Sequence, residues 1–382
     1  MSVRLLHTSD VHLGATFKVL GDRGPEHRRQ LRETFARVVD TAAAERVDAV
    51  LIAGDLFDSV AAARVHAPFA AEQLSRLGQA GIPVCAIAGN HDPLGEGSAG
   101  VWADLERRCP GLTVFGGQLG ERVIPDRDLT VVGRSAPRRL SAESPLAGLP
   151  VRRQTRYQVA LAHGSVERPD YEAQFTTITP REIGASAVDY LALGDWHSAQ
   201  DVSSGSVTAW YCGAPEMIDL DEGQSGNILL VTIPEPGRAE VERRRIGRRR
   251  SERLAVDLAT AGDAEAVARR IRERADPDLA LRVVLTGLGG LDSRVLAERL
   301  RDDLGPSFFR LDVRDESSLR PDVVDPAQYP DHTVIGTFVR EMREQIAARD
   351  GDERALAEEA LAYGIALLQG TIELPAGGGG GG

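Results

Sequence analysis

The sequence predicts an α/β fold built on parallel strands, and three observations carry that expectation. Five short apolar runs, Val3 to Leu6, Ala49 to Ala53, Val84 to Ala88, Val159 to Ala162 and Tyr190 to Leu193, have the length and Val/Ile/Leu content of buried strands. Arg28 to Val47 places Leu31, Phe35, Val38, Val39 and Ala42 at helical spacing between the first two runs, and Val65 to Leu77 repeats the arrangement before the third. A strand–helix–strand order brings the chain back to the same end of the sheet, which makes the strands parallel. Lastly, every run stops at a polar residue able to hold a metal.

The first run leads to Asp10 and His12, the second to Gly54-Asp55, and the third to Gly89-Asn90-His91-Asp92. The fourth ends at His163 and the fifth at Gly194-Asp195-Trp196-His197. Strands lying side by side would bring these ends together. Carboxylates, an amide and imidazoles in one place suit first-row divalent ions such as Mn²⁺, Zn²⁺ or Fe²⁺. Asp10-x-His12 offers two ligands at one strand end, and Asp55 has one oxygen for each of two metals. Two such ions clamp a phosphoryl group and lower the pKa of a bridging water. His91, poised by Asp92, is expected to protonate a leaving alkoxide or stabilise charge in the transition state.

Leu129 to Val132, Val207 to Tyr211 and Ile228 to Ile233 read as further strands. A break is expected at Pro234-Glu235-Pro236-Gly237, closing a first domain over residues 1–236. A small α+β module follows over 250–320: strand (Leu254 to Leu258), helix (Asp263 to Arg274), strand (Ala280 to Thr286), helix (Asp292 to Leu304) and strand (Phe308 to Val313). Asp263 and Asp292 stand where N-caps belong. Pro321, Pro326 and Pro330 mark an irregular connection to two helices within 330–370, Val334 to Ala348 and Glu353 to Gln369. Residues 371–382 end in six glycines, which have no side chain to pack and are expected to be disordered.

A 382-residue chain with 42% hydrophobic content buries a core of its own, and its 27% charged content is ordinary for a soluble protein. No apolar stretch reaches the ~18 residues that span a bilayer. His7, Thr8, Ser9 and Asp10 interrupt any signal-peptide core. Three cysteines, Cys85, Cys109 and Cys212, lack the spacing of a disulfide framework or zinc finger. A cytoplasmic location is the expectation. The net charge of -12 argues against a general affinity for nucleic acid, but bound divalent cations would offset it locally. Charge therefore leaves the substrate open.

The ordered set Asp-x-His, Gly-Asp-x-x-Asp, Gly-Asn-His-Asp, His and Gly-x-x-His resembles the calcineurin-like metallophosphoesterases. More narrowly, Leu6-His7-Thr8-Ser9-Asp10-Val11-His12-Leu13-Gly14 and Gly54-Asp55-Leu56-Phe57-Asp58 resemble the SbcD-type DNA double-strand-break repair nucleases. Trp210-Tyr211-Cys212-Gly213-Ala214-Pro215-Glu216 is similar to the segment that follows the last ligand there. The resemblance implies a four-layer αββα sandwich, a small capping domain, and a C-terminal segment that binds an SMC-like ATPase. It also implies two divalent metals, with Mn²⁺ favoured, DNA as substrate, and a dimer formed by the catalytic domains. By that resemblance Asp10, His12 and His197 hold one metal, Asn90, His163 and Asp195 the other, and Asp55 bridges. The family usually has His where this chain has Asp195.

Several residues carry two readings. Trp196 lines the substrate groove or simply packs. Arg134, Arg138, Arg139, Arg152 and Arg153 are candidates for phosphate contact, whereas Arg243 to Arg250 reads better as a solvated edge strand or linker. His7 reads as a structural residue and Asp58 as a support for the loop after Asp55. His27, His66 and His332 lie outside every motif, and read as surface or packing histidines. The last helices either dock a partner or fold back on the cap. Beside the nuclease stand two alternatives: a phosphodiesterase on small nucleotide or nucleotide-lipid substrates, and a non-catalytic scaffold for a DNA-repair ATPase.

Overall fold

The computed structural model describes residues 2–95, 99–135, 143–167, 177–220, 223, 225–289, 293–319, 329, 330 and 332–368. The chain divides into two compact units, Met1–Ser251 and Glu252–Gly382.

The first unit holds two six-stranded sheets. In one, Val3–Thr8, Ala49–Ala53, Val84–Ile87 and Leu112–Val114 run parallel in that order. Helices Gly24–Ala44 and Val60–Gln79 make the crossovers that the apolar spacing predicted. In the other, Tyr157–His163 and Tyr190–Gly194 are parallel neighbours at the centre, flanked by Leu129–Gly133 and Thr208–Tyr211.

Side-chain alternation explains the layering. Leu5, Leu51 and Ile87 of the first sheet face Val131, Val159 and Ala192 of the second in a common core. The residues between them, Leu6, Val50 and Ile52, point the other way against Phe35, Val38 and Leu74 of the two long helices. On the far side of the second sheet, Ala160, Leu191 and Leu193 pack against Ile178 and Ile183, the latter from helix Pro180–Ala185. Helices, sheet, sheet and helix form four layers, the αββα sandwich expected. A side chain such as Leu51, wholly enclosed between the sheets, contributes about 2–3 kcal/mol by leaving water.

One expected boundary moves. Pro234 to Gly237 is a hairpin turn, with Glu235 opposite Arg238, and strand Arg238–Arg245 returns as the edge of the first sheet. The unit therefore continues to Ser251 instead of closing at residue 236. Ala239 and Val241 alternate with Glu240 and Glu242, and pack on the inter-sheet core. That alternation is a strand signal hidden by the arginines around it.

The second unit is built on the three-stranded order Arg250–Asp257, Asp276–Thr286, Phe308–Asp315, the first of which starts two residues before the unit does, with helices Ala264–Arg272 and Ser293–Leu304. Asp263 caps its helix as expected, accepting the Ala266 N–H at 2.8 Å. Val267, Ile271, Leu281, Val283 and Leu300 share its core. Helices Val334–Ala347 and Gly351–Leu368 pair through Val339, Leu361 and Ile365. Asp292, Pro321, Pro326 and the glycine tail lie outside the described residues.

Candidate metal centre

The two sheets present the C-terminal ends of their parallel strands to one place, where open α/β sheets characteristically bind ligands. The loops after the first two strands are knitted together: Asp10 N–H donates to Gly54 O (3.1 Å), His12 N–H to Asp55 O (3.0 Å) and Leu13 N–H to Leu56 O (3.0 Å). Asp10, His12, Asp55 and Asp195 all have positive φ, 50°, 48°, 49° and 107°. Such backbone is uncommon outside glycine, and it concentrates where function requires it. Gly54 and Gly89 make the close approach possible. A Cβ on Gly54 would lie 2.2 Å from His163 Nδ1, and one on Gly89 would lie 2.2 Å from Asp55 Oδ1.

The ligand atoms of Asp10, His12 and His197 lie within 4.8 Å of one another, and so do those of Asp10, Asp55 and His163. Asp55 Oδ2 stands between the two groups, 3.8 Å from His12 Nε2 and 3.4 Å from His163 Nε2. Asn90 Oδ1 is 2.7 Å from His163 Nε2. Asp195 Oδ1 faces the same nitrogen at 3.8 Å, while its Oδ2 accepts the Ser165 hydroxyl. All seven residues read as ligands from the sequence are thus brought together.

The donors fit cations. His163 Nδ1 faces the Ala53 carbonyl at 2.9 Å, so it carries the proton and leaves the Nε2 lone pair for the cluster. There it meets the Asn90 carbonyl oxygen, another acceptor. Two acceptors in hydrogen-bond range need a positive charge between them. Burial opposes charge on either partner, yet His163, His12 and His91 hold Asp55 well below the usual carboxylate range. Burial likewise disfavours His163 as a cation, but Asp55, Asp10 and Asp195 push its pKa well above the ordinary value. These buried carboxylates draw a proton onto His163 where a divalent ion would satisfy them better.

His91 is exposed beside the cluster. Its backbone N–H donates to Asp55 Oδ1 (2.9 Å), its Nδ1 faces the Asp58 carbonyl (3.0 Å), and its ring meets His12 edge-on at 4.7 Å. The expectation that Asp92 orients this ring is corrected. Both Asp92 oxygens accept backbone N–H groups, from Phe57 (2.9 Å) and Gly89 (2.8 Å), and the carboxyl is fully buried. Burial, then the charge of Asp55, pushes its pKa to about 7. Asp92 ties the loop after Ala53 to the turn before Asn90, and the Asp58 carbonyl holds His91. The Asp58 carboxylate lies 3.5 Å from His12 Nδ1.

The arginine candidates separate. Arg134 is committed to Glu143 and the Gly117 carbonyl, and Arg153 forks onto Asp189 at 2.9 and 3.0 Å. Arg152 is exposed; Arg138 and Arg139 lie outside the described residues. Trp196 packs half-buried on the outer face of the second sheet. His7 is a core residue bonded to the Tyr190 hydroxyl at 2.8 Å.

Residues 3–199 match the family model described as calcineurin-like phosphoesterase, and the chain belongs to that family. It is 28% identical over 234 residues to an uncharacterized metallophosphoesterase, YhaO, of Bacillus subtilis, covering 59% of this chain and 56% of that one. It is 31% identical over 263 residues to the DNA double-strand break repair protein Mre11 of Haloferax volcanii, covering 67% and 55%. It is 26% identical over 268 residues to one of the subunits of the nuclease SbcCD of Escherichia coli, covering 60% and 65%. The chain therefore spans between 55% and 65% of the length of these relatives.

Sequence reasoning missed three supports. Ser9 donates its hydroxyl to Asp10 and lies 3.0 Å from Cys212 Sγ. Ser165 donates to Asp195. Glu216 is buried and accepts the Thr34 hydroxyl (2.6 Å) and the N–H groups of Arg248 (2.9 Å) and Arg249 (2.8 Å). Two of them had a signal, Ser9 inside the Leu6 to Gly14 motif and Glu216 at the end of the Tyr211 to Glu216 segment; Ser165 had none.

Proposed function

We propose that this chain is a metal-dependent phosphodiesterase acting on DNA in repair. The observation that carries it is the convergence of Asp10, His12 and His197 with Asn90, His163 and Asp195 around Asp55, beside an exposed histidine. Under this reading Asp10, His12 and His197 hold one divalent ion, Asn90, His163 and Asp195 hold the other, and Asp55 serves both. Mn²⁺ suits the mixture of oxygen and imidazole donors. The ions, when bound, supply Lewis acidity and a nucleophilic water at neutral pH.

The protein's own groups do the rest. His91, whose Nδ1–H is fixed by the Asp58 carbonyl, would offer Nε2 to the leaving oxygen of the scissile diester and, in its doubly protonated form, give it the Nε2 proton and return to the neutral ring. Asp92 keeps the Gly89 turn in place, so that Asn90 and His91 hold their positions.

DNA as substrate rests on the sequence motifs and on two relatives, one named a DNA double-strand break repair protein and the other a nuclease. The second unit would supply the cap through its α+β module at 250–320. The helical segment at 330–370 would dock an SMC-like ATPase, and the catalytic domains would form a homodimer. Among the described residues no helix is long and apolar enough to cross a membrane. A cytoplasmic location belongs to this proposal.

The test is digestion of end-labelled linear DNA by metal-stripped protein resupplied with Mn²⁺, Mg²⁺ or Zn²⁺, beside His91→Ala. Metal-dependent degradation that the variant lacks supports the proposal. Intact DNA alongside hydrolysis of a chromogenic diester would assign the site to small phosphodiesters instead.

A further inference from the structure

The two halves of the centre are chemically unequal. One half gathers two imidazoles, His12 and His197, whose Nε2 atoms are 3.2 Å apart, with the carboxylate of Asp10. The other gathers one imidazole, His163, with the oxygens of Asn90 and Asp195. Asp55 reaches both. The first half therefore offers two nitrogens and two oxygens, and the second offers one nitrogen and three oxygens.

We infer that the two positions select different metals, and that Asp195, positioned by Ser165, is the residue that makes the second one prefer an oxygen-seeking ion such as Mn²⁺ over Zn²⁺. Imidazole-rich sets favour Zn²⁺, whereas carboxylate and carbonyl sets suit Mg²⁺ and Mn²⁺. Three contacts fix Asp195. Its Oδ2 accepts the Ser165 hydroxyl, its backbone N–H donates to Asp10 Oδ1 at 3.1 Å, and the same N–H lies 3.4 Å from Asp10 Oδ2. With Oδ2 occupied, Oδ1 is the oxygen turned to the His163 side. One oxygen from Asp195, one from Asn90 and one from Asp55 would give this position the oxygen-rich donor set that suits Mn²⁺ better than Zn²⁺. The backbone at φ 107° holds this arrangement in a positive-φ conformation that residues other than glycine seldom adopt.

This inference rests on the two-metal reading, and the experiment separates the two. Metal-stripped full-length protein is equilibrated with Zn²⁺ sufficient for both positions and Mn²⁺ in excess, then desalted. Bound metals are counted by plasma mass spectrometry, and Mn²⁺ is read by electron paramagnetic resonance. The wild type is expected to retain a mixed pair, with the resonance of an isolated Mn²⁺. Asp195→His should exchange that Mn²⁺ for Zn²⁺. Asp195→Asn, which keeps the shape of the side chain, should release the Mn²⁺ and keep the Zn²⁺. Ser165→Ala should weaken Mn²⁺ binding by about 10–100-fold, the usual effect of removing a ligand's hydrogen-bonding support, and leave Zn²⁺ untouched. Wild-type protein carrying only Zn²⁺, or Asp195→His and Asp195→Asn both retaining the mixed pair, would overturn the inference. Wild-type protein retaining neither ion would overturn the metal-centre reading itself. Circular dichroism of each variant guards against misfolding, and Asp195→Asn decides if Asp195→His does not fold.

Discussion

The Nε2 atoms of His12 and His197 face each other at 3.2 Å, although the two residues come from different sheets and stand 185 positions apart. When one ring carries its proton on Nε2 this is a hydrogen bond; when both Nε2 atoms are unprotonated two lone pairs meet, and a shared cation would satisfy both, with Asp10 beside them. Replacing His197 by Ala should therefore remove one bound metal, leaving about one per chain where the wild type holds about two. Metal analysis after dialysis checks it; unchanged content would sink the ligand assignment.

His91 should behave differently. It lies at the exposed rim and supports Asp55 through its backbone N–H, which substitution leaves in place. His91→Ala is expected to keep both metals and lose about 10²–10⁴-fold in turnover, the usual contribution of a general acid. A variant that loses metal instead would make His91 a ligand.

Gly54 tests the packing between the sheets. Alanine there must adopt φ +94° and put its Cβ 2.2 Å from His163 Nδ1, forcing the ring off the Ala53 carbonyl. Gly81, with φ +72° and nothing within 4 Å of the added carbon, shares the backbone strain without the clash. Both Ala variants should lose about 1–3 kcal/mol from the strained backbone. Only Gly54→Ala should also lose metal from the His163 side, and parallel thermal melts and metal counts separate the effects.

His27 gives a pH dependence remote from the metal ligands. It is buried, its Nε2 faces the Met217 carbonyl at 2.7 Å, and its Nδ1 accepts from Arg249 at 2.9 Å. Burial lowers its pKa to about 4; the Met217 carbonyl opposes that, and the Arg249 guanidinium adds to it. The folded pKa lies below the unfolded value of 6.5, so the native state binds fewer protons. Stability is then fully present above pH 6.5 and lost as pH falls toward 4, with a slope of up to about 1.4 kcal/mol per pH unit. His7, lowered to about 3 by burial, adds the same sign. His27→Gln keeps a donor for Met217 and an acceptor for Arg249, and denaturant titrations between pH 4 and pH 7 should show a flatter dependence than the wild type. An equal slope would remove His27 from the explanation.

The arginine run shows where local reading stops. Arg249 is fully buried against His27 and Glu26, and Arg244 is held by Glu45 and Glu242. Most of these bonds reach residues roughly 200 positions away in sequence, which composition alone does not reveal. Asp92 makes the same point. Its neighbour in sequence is His91, and its partners in space are the N–H groups of Phe57 and Gly89. Adjacency suggested a catalytic pair; burial made a tie between two loops.

What the sequence determined by itself was the five strands that lead to the candidate ligands and the residues at their ends. Apolar runs closed by glycine specify strand and turn through local sterics and side-chain periodicity, and those forces act within a few residues. Only the tertiary structure decided which ends meet. Facing the two sheets across a shared apolar core brings His163 to the Ala53 carbonyl and His197 to His12. It also decided the roles of Ser165, Asp58 and Glu216, whose polar groups must find partners wherever the fold places them.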